Sequence, residues 1–411
     1  MKKEAVIVDA CRSPIGRAGD RGVYKAIGYA DLMVPLLKAI VQRNRLDPKL
    51  IDDICIGSAM LGNTMTRNII LLADFPQSVA GNDTSRQCAS SSNAIAIAAY
   101  NIMNDDADIV IAGGLETMDR RGPVPPSQIG KRGAPQMRDL APKEEGEYPE
   151  GWKKANVLPP LPAHIPRWIY DMGRTAEELS ERYGISRQDS DAYALTSHQK
   201  AFAAQDAGLF KDEIVPITIH YEDGSTEVID KDQCPRRETS LEKLATLPGA
   251  YKENGLVTAG NACPRSDGAG AVLMMSKQKA KELGLKPMCT FRHAVSIGVD
   301  PTVMGIGPVP STQKILKRTG MSIKDFDIIE INEAFACQVV YSMRELGIDA
   351  KKLNPKGGAV AIGHPLGMTG SRQAAVIAHE MVRRNLHWGL ATLCVGGGQG
   401  MATIFEREHY S

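Results

Sequence analysis

Four short segments of the chain carry side chains able to do covalent chemistry. Cys88 lies in Ser85-Arg86-Gln87-Cys88-Ala89-Ser90-Ser91, just before a run of small apolar residues that reads as a helix. A thiol at a helix N-terminus feels the positive end of the dipole, which favours the nucleophilic thiolate. His364 lies in Gly363-His364-Pro365-Leu366-Gly367, where flanking glycines let backbone approach a ligand. Imidazole is the natural base for a thiol proton near neutral pH. Cys394 precedes Val395-Gly396-Gly397-Gly398, whose N–H groups could stabilise an oxyanion. Asn332 and Glu333 directly follow a strand-like run. Taken singly, each keeps a plainer reading: an inert thiol, a loop histidine, a glycine turn, or a helix cap, for which Asn is well suited. A phosphate cradle at 396–400 is disfavoured because GxxxxGK[ST] is missing. A dinucleotide fingerprint fails there too, since no acidic residue follows at the required distance.

The elements that must position these residues alternate between strand and helix. Residues 4–9, 51–57 and 107–112 read as buried strands, the last stopped by Gly113-Gly114; 31–46 and 89–103 read as helices. From about 119 to 172 the chain is rich in Pro, Gly and charge. Helical patterning returns at 173–207, an extended stretch follows at 213–230, and 256–275 ends in an apolar strand. The last third echoes the first: 326–336 resembles 51–60, 363–382 resembles 87–103, and 389–400 resembles 107–117, in the same order. The echoes suggest an α/β protein of two duplicated halves. In such sheets ligands gather beyond the carboxyl ends of the strands, so two related halves would bring both sets of polar turns together.

Composition narrows the function. Lys and Arg number 49 and Asp and Glu 48, so the net charge of +1 argues against a nucleic-acid partner held by bulk charge. The eight cysteines are scattered, and the closest two are 26 residues apart, which disfavours zinc and iron–sulfur motifs and suits reduced thiols. No apolar run is long enough for a membrane span, and the apolar stretch after Met1 is too short for a signal-peptide core. The expected location is the cytoplasm.

The four segments together resemble the thiolase family, and the resemblance covers essentially the whole chain. It includes Gly113-Gly114-Leu115-Glu116-Thr117-Met118, Met172-Gly173-Arg174-Thr175-Ala176-Glu177, Thr258-Ala259-Gly260-Asn261-Ala262 and Gly305-Ile306-Gly307-Pro308-Val309-Pro310. The resemblance implies two βαβαβαββ halves packed as a layered α/β sandwich with an inserted loop domain. Residues 1–119 plus about 250–277 would form the first half, 120–249 the insert covering CoA, and 278–411 the second half. It implies an acyltransferase that cleaves 3-oxoacyl-CoA with CoA or condenses two acyl-CoA molecules. Cys88 would become acylated, His364 would take its proton, and Cys394 would act as acid or base at the α-carbon. One oxyanion site would use His364 and a water held by Asn332; the other, the N–H groups of Cys88 and Gly396. Arg236 matches a family position near the CoA phosphates, and Cys263 one that contacts pantetheine. No metal or redox cofactor is implied, since CoA is a substrate. Relatives assemble as homodimers or homotetramers, some within fatty-acid oxidation complexes, which Met137-Arg138-Asp139-Leu140 resembles.

The chain departs from the family at two places. Ser91 stands where glycine is common, which would alter the acyl pocket, and Cys263-Pro264-Arg265 replaces Ser-Gly. These departures motivate one alternative, a thiolase-like acyl-CoA binding protein with little turnover. A second is a ketosynthase-type condensing enzyme, against which Cys394 argues.

Overall fold

The computed structural model describes residues 3–62, 64–118 and 171–408. The stretch 119–170, with its Met137–Leu140 resemblance, lies outside the described residues. The described strands are β1 Ala5–Arg12, β2 Gly16–Arg17, β3 Asp53–Gly57, β4 Ala80–Thr84, β5 Ile109–Glu116, β6 Ile217–His220, β7 Thr226–Ile229, β8 Ser266–Ser276, β9 Cys289–Gly298, β10 Ile328–Ile331, β11 Trp388–Val395 and β12 Gln399–Glu406. The helices are α1 Tyr29–Arg43, α2 Met65–Leu72, α3 Ser90–Met103, α4 Met172–Tyr183, α5 Arg187–Asp206, α6 Leu241–Ala245, α7 Lys277–Glu282, α8 Pro308–Thr319, α9 Ala336–Leu346, α10 Ala359–Ile362 and α11 Thr369–Arg384.

Strand order runs β10-β11-β12-β9-β1-β8-β5-β3-β4, with β2 on β8 and a separate β6–β7 hairpin. Each half repeats one pattern. β3 and β5 are parallel, then β5, β8 and β1 alternate in direction. β10 and β11 are parallel, then β11, β12 and β9 alternate. The halves meet in a short antiparallel pairing of Val6 with Thr290 and Ile7 with Cys289. The echoes in the sequence therefore correspond to matching positions in the sheet.

Buried residues explain the layering. Helix α3 is rich in alanine, and both α3 and α11 bury most of their surface in one core shared with strands of both halves, through Ala94, Ala98, Ala374 and Ala378. Small side chains let the two helices lie close to one another. A second core joins the other face of the first half to α1 and α2, and a third joins the second half to α8 and α9. Helix-bearing layers thus cover both faces of each half. Strand β5 does not stop at Gly113-Gly114 but runs on to Glu116. Those glycines admit neighbouring backbone: a Cβ on Gly113 would lie 2.2 Å from Gly270 O, and one on Gly114 2.0 Å from Gly367 O. Close approach, not a turn, is their structural reason.

Candidate active site

The chemistry-bearing segments converge beyond the carboxyl ends of the parallel strands. Asn332 follows β10 directly, and its N–H bonds Thr392 O at 3.0 Å, continuing that strand's pairing. It is not a helix cap, because α9 begins at Ala336 behind Phe335. Cys394 lies at the end of β11, and Gly397 and Gly398, with φ of +82° and +81°, make the turn into β12. Of the three glycines there, Gly396 is the one whose N–H points at the Cys88 thiol.

His364 has one readable tautomer. Its Nδ1 lies 2.6 Å from Thr369 Oγ1, and that hydroxyl donates to Pro365 O at 2.9 Å. With its proton committed, the threonine oxygen accepts, so Nδ1 carries the hydrogen. Nε2 then keeps its lone pair, facing Asn332 Nδ2 at 3.3 Å. Burial, then the Arg372 charge, lowers the imidazole to about 3, so the ring rests neutral. Asn332 Oδ1 is buried without a hydrogen-bond partner among the described residues. Gly363 sets the approach to the ring: its φ is +108°, and a Cβ there would lie 2.5 Å from Ser266 Oγ.

The thiols differ from the reading of an activated thiolate. Cys88 precedes α3 and is buried, and burial pushes it up to about 11. The N–H groups of Gly396 and of Cys88 itself pull the other way but do not prevail. Desolvation of a charged sulfur outweighs a dipole worth about 1 kcal/mol. Cys394 is raised well above its usual value, first by burial and then by negative charge that Cys88 and Cys263 would carry. Cys263 is pushed to about 12 by burial and then by Cys88. These three thiols are thus within electrostatic reach of one another. Cys394 Sγ also donates to Gln338 Oε1 at 3.8 Å.

The structure adds supporting contacts that the sequence reading did not give. Glu116 accepts from Ser58 Oγ at 2.8 Å, Ala59 N at 2.8 Å and Gly367 N at 3.0 Å, tying the first half to the loop after His364. Glu333 accepts from Tyr193 Oη at 2.8 Å, Ser197 Oγ at 2.7 Å and Val360 N at 3.0 Å, which fixes α5 and α10 beneath the site. Gln87 adopts a φ of +46°, turning the chain sharply before Cys88. Thr369 lies five residues beyond His364, a spacing with no recognisable signal until the Pro365 turn is seen. Ser91 Oγ accepts from Ser371 N at 2.9 Å, so its side chain faces α11. Cys263 is half-buried, and its N–H bonds Ala334 O at 3.1 Å beside the Asn332 turn. Arg236 lines a cavity with Pro264 and Arg265, and its N–H donates to His198 Nδ1 at 3.2 Å.

The arrangement offers a nucleophile, a neutral base whose Nε2 lone pair faces the Asn332 amide, convergent N–H donors and a second thiol. Two family models match: "Thiolase, N-terminal domain" over residues 5–278 and "Thiolase, C-terminal domain" over 285–407. The chain is 42% identical to the 3-oxoadipyl-CoA/3-oxo-5,6-dehydrosuberyl-CoA thiolase of Escherichia coli (strain K12), over 98% of this chain and 100% of that one. The crystal structure of the Bacillus anthracis acetyl-CoA acetyltransferase matches with a TM-score of 0.85 at 37% identity, covering 98% of this chain and 99% of that chain. Human mitochondrial 3-ketoacyl-CoA thiolase in complex with CoA matches with a TM-score of 0.83 at 33% identity, covering 99% and 98%.

Proposed function

The chain belongs to the thiolase family, and we propose that Cys88, His364, Asn332 and Cys394 carry its reaction. It is an acyltransferase that cleaves 3-oxoacyl-CoA with CoA or condenses two acyl-CoA molecules, and acyl-CoA and CoA bind to it as substrates. The observation that carries the residue assignment is the convergence of the Gly396 N–H on Cys88 and of a lone pair on His364 Nε2 beside Asn332.

At rest both Cys88 and His364 are neutral. In cleavage, Cys88 Sγ attacks the 3-oxo carbon while Nε2 takes the thiol proton. The developing oxyanion is held by the N–H groups of Cys88 and Gly396, and one such donor is worth about 3 kcal/mol of barrier. The C2–C3 bond then breaks, leaving the acyl group on Cys88 and the enolate of the shortened thioester. Cys394 protonates that enolate at C2. A high thiol pKa suits this step, because Cys394 is protonated at rest and its conjugate base is strong enough for the reverse abstraction. His364 Nε2–H and a water on Asn332 stabilise the enolate oxygen. CoA finally attacks the Cys88 thioester, its thiol proton passing to the Cys394 thiolate, and the released Cys88 sulfur recovers its proton from His364. This chemistry calls for no metal or redox cofactor.

The insert 120–249 is read as the segment covering CoA, with Arg236 and Cys263 at its contacts. Strand β4 is a largely exposed sheet edge, and Leu71 and Leu72 of the adjoining α2 are exposed. Exposed edges need cover, which supports a homodimer or homotetramer. Among the described residues no helix is long and apolar enough to cross a membrane. All eight cysteines are free, which supports a reducing compartment such as the cytoplasm.

The test is turnover of acetoacetyl-CoA and longer 3-oxoacyl-CoAs with CoA, followed by loss of the 3-oxoacyl absorbance. Intact mass should show an acyl adduct on the parent and none on Cys88→Ala. Cys394→Ser should still acylate from a simple acyl-CoA but should not condense. Absence of turnover at every chain length would overturn the reading.

A further inference from the structure

Helix α9 follows the Asn332 turn, and its third residue, Gln338, is fully buried. Its side-chain oxygen, Oε1, accepts from Cys394 Sγ at 3.8 Å. The other end of the same amide, Nε2, is buried without a hydrogen-bond partner among the described residues. A thiol is a weak donor and gives a buried amide little in return. A buried N–H without an acceptor costs stability and calls for a reason, and an apolar side chain of this length would avoid that cost.

The stem of this side chain is held, and its end can turn. Gln338 O accepts from Ser342 Oγ at 2.8 Å within α9. Gly305 packs against the stem: a Cβ there would lie 3.1 Å from Gln338 Cγ and 3.2 Å from its Cβ. The last torsion of a glutamine is broad and roughly two-fold, so a half-turn exchanges oxygen and nitrogen without leaving the allowed conformations. Cys394 belongs to an apolar core with Leu179, Val303, Met304 and Cys337, and the Cys337 thiol is itself turned to Ala176 O at 3.7 Å. Burial in that core keeps Cys394 protonated at rest, so its anion has much to gain from a nearby donor.

We propose that Gln338 is a positioning residue that serves both protonation states of Cys394: Oε1 accepts from the thiol, and after a half-turn of the amide Nε2–H donates to the thiolate. The inference rests on the thiolase reading and gives the acid–base thiol a partner. No proton passes to or from the amide. In cleavage the S–H bond breaks as its proton bonds C2 of the enolate, and the charge left on sulfur meets Nε2–H. When the thiol proton of CoA reaches Cys394, the amide turns back. An oxygen kept against the sulfur would oppose the first of these steps, and the nitrogen favours it.

Gln338→Met keeps the length of the side chain and removes both polar atoms. It should lower kcat/KM for the 3-oxoacyl-CoA that turns over fastest about 10- to 100-fold, as expected for loss of a hydrogen bond to a charged group. The solvent deuterium isotope effect on kcat/KM should rise, because delivery of the proton to C2 becomes the slow step. Alkylation of Cys88 by iodoacetamide, in which Cys394 takes no part, should change less than about threefold. The S–H stretch of Cys394, assigned by difference against Cys394→Ser, should lie at the position of a hydrogen-bonded thiol in the parent and move to that of a free thiol in Gln338→Met. A loss of activity below about fivefold, a loss without the rise in isotope effect, or a loss matched by slower alkylation would overturn the role. A free-thiol band in the parent would overturn the pairing, and this measurement holds even if Gln338→Met does not fold. If the parent turns over no 3-oxoacyl-CoA, the thiolase reading fails, and the S–H band still decides the pairing.

Discussion

Thr369→Val tests whether one hydrogen bond sets the catalytic base. The Nδ1–Oγ1 contact is 2.6 Å, and both residues are buried. Valine keeps the shape of threonine and removes the acceptor. The imidazole then has two states. It can keep the hydrogen on Nδ1 as an unsatisfied buried donor, at a cost of about 1–3 kcal/mol. Or it can move the hydrogen to Nε2, where it meets the Asn332 amide and the lone pair needed for the Cys88 proton is gone. The Nδ1–H form is thereby raised against the Nε2–H form by that free energy, so the reactive tautomer falls by up to a factor of about 5 to 150. We expect kcat/KM for a 3-oxoacyl-CoA to fall by that factor, and Thr369→Ser to restore it to within about threefold. Nitrogen chemical shifts of the ring should show loss of the Nδ1–H form in the valine variant. A Thr369→Val enzyme that stays within twofold of the parent although its ring has moved the hydrogen to Nε2 would refute the assignment of Nε2 as the base; one that keeps both its activity and its tautomer would refute the role of Thr369 in setting the tautomer.

Alkylation of Cys88 by iodoacetamide should accelerate about tenfold per pH unit from pH 7 to 10, because burial holds the thiol near 11. A plateau below pH 9 would show that the N–H groups outweigh burial. Gly114→Ala should be recovered poorly, since its Cβ would lie 2.0 Å from the Gly367 carbonyl. Gly396→Ala should fold with a near-parental Tm, since the nearest atom, Gln87 Cβ, is 3.6 Å away. Burial lifts Glu330 from its ordinary 4.5 to about 7, against the opposing Arg372 charge. Between those values the native state holds the proton and the unfolded chain does not, so this residue's contribution to stability falls as pH rises from about 4.5 to 7. The loss is about 3 kcal/mol. Urea unfolding at pH 5 and pH 8 should show that component in the parent and not in Glu330→Gln, and identical slopes would count against it.

What could be read from the sequence was local. The cysteine turn, the strand before Asn332 and the glycines after Cys394 each announced an element end, and the three echoes anticipated the matched strand patterns of the two halves. What could not be read depended on contacts distant along the chain. The helix dipole suggested an activated Cys88, but whether the thiol is buried is set by β11 and the second half. Gly113 and Gly114 looked like a strand end, because backbone from Gly270 and Gly367 is absent from any local window. The base tautomer was hidden for the same reason: it requires knowing where the Thr369 hydroxyl sends its own proton.

The two departures from the family pattern separate by location, and that bears on how the enzyme differs from its relatives. Ser91 sits where α3 meets α11, the helices that follow Cys88 and His364. Its hydroxyl bonds the first turn of α11, and its N–H bonds Gly367 O at 3.1 Å. Opposite it stands Gly370, where a Cβ would lie 2.1 Å from Ser92 Oγ and 3.0 Å from Ser91 Oγ. The space that the serines take on one helix is thus left open on the other. A change absorbed in this way alters packing without altering chemistry, in line with a neutral thiol and neutral imidazole still meeting the convergent N–H groups. The change at 263–265 lies elsewhere, at the cavity lined by Arg17, Arg21 and Arg236. The two departures therefore sit apart, one between the helices that follow Cys88 and His364 and the other at the edge of a basic cavity.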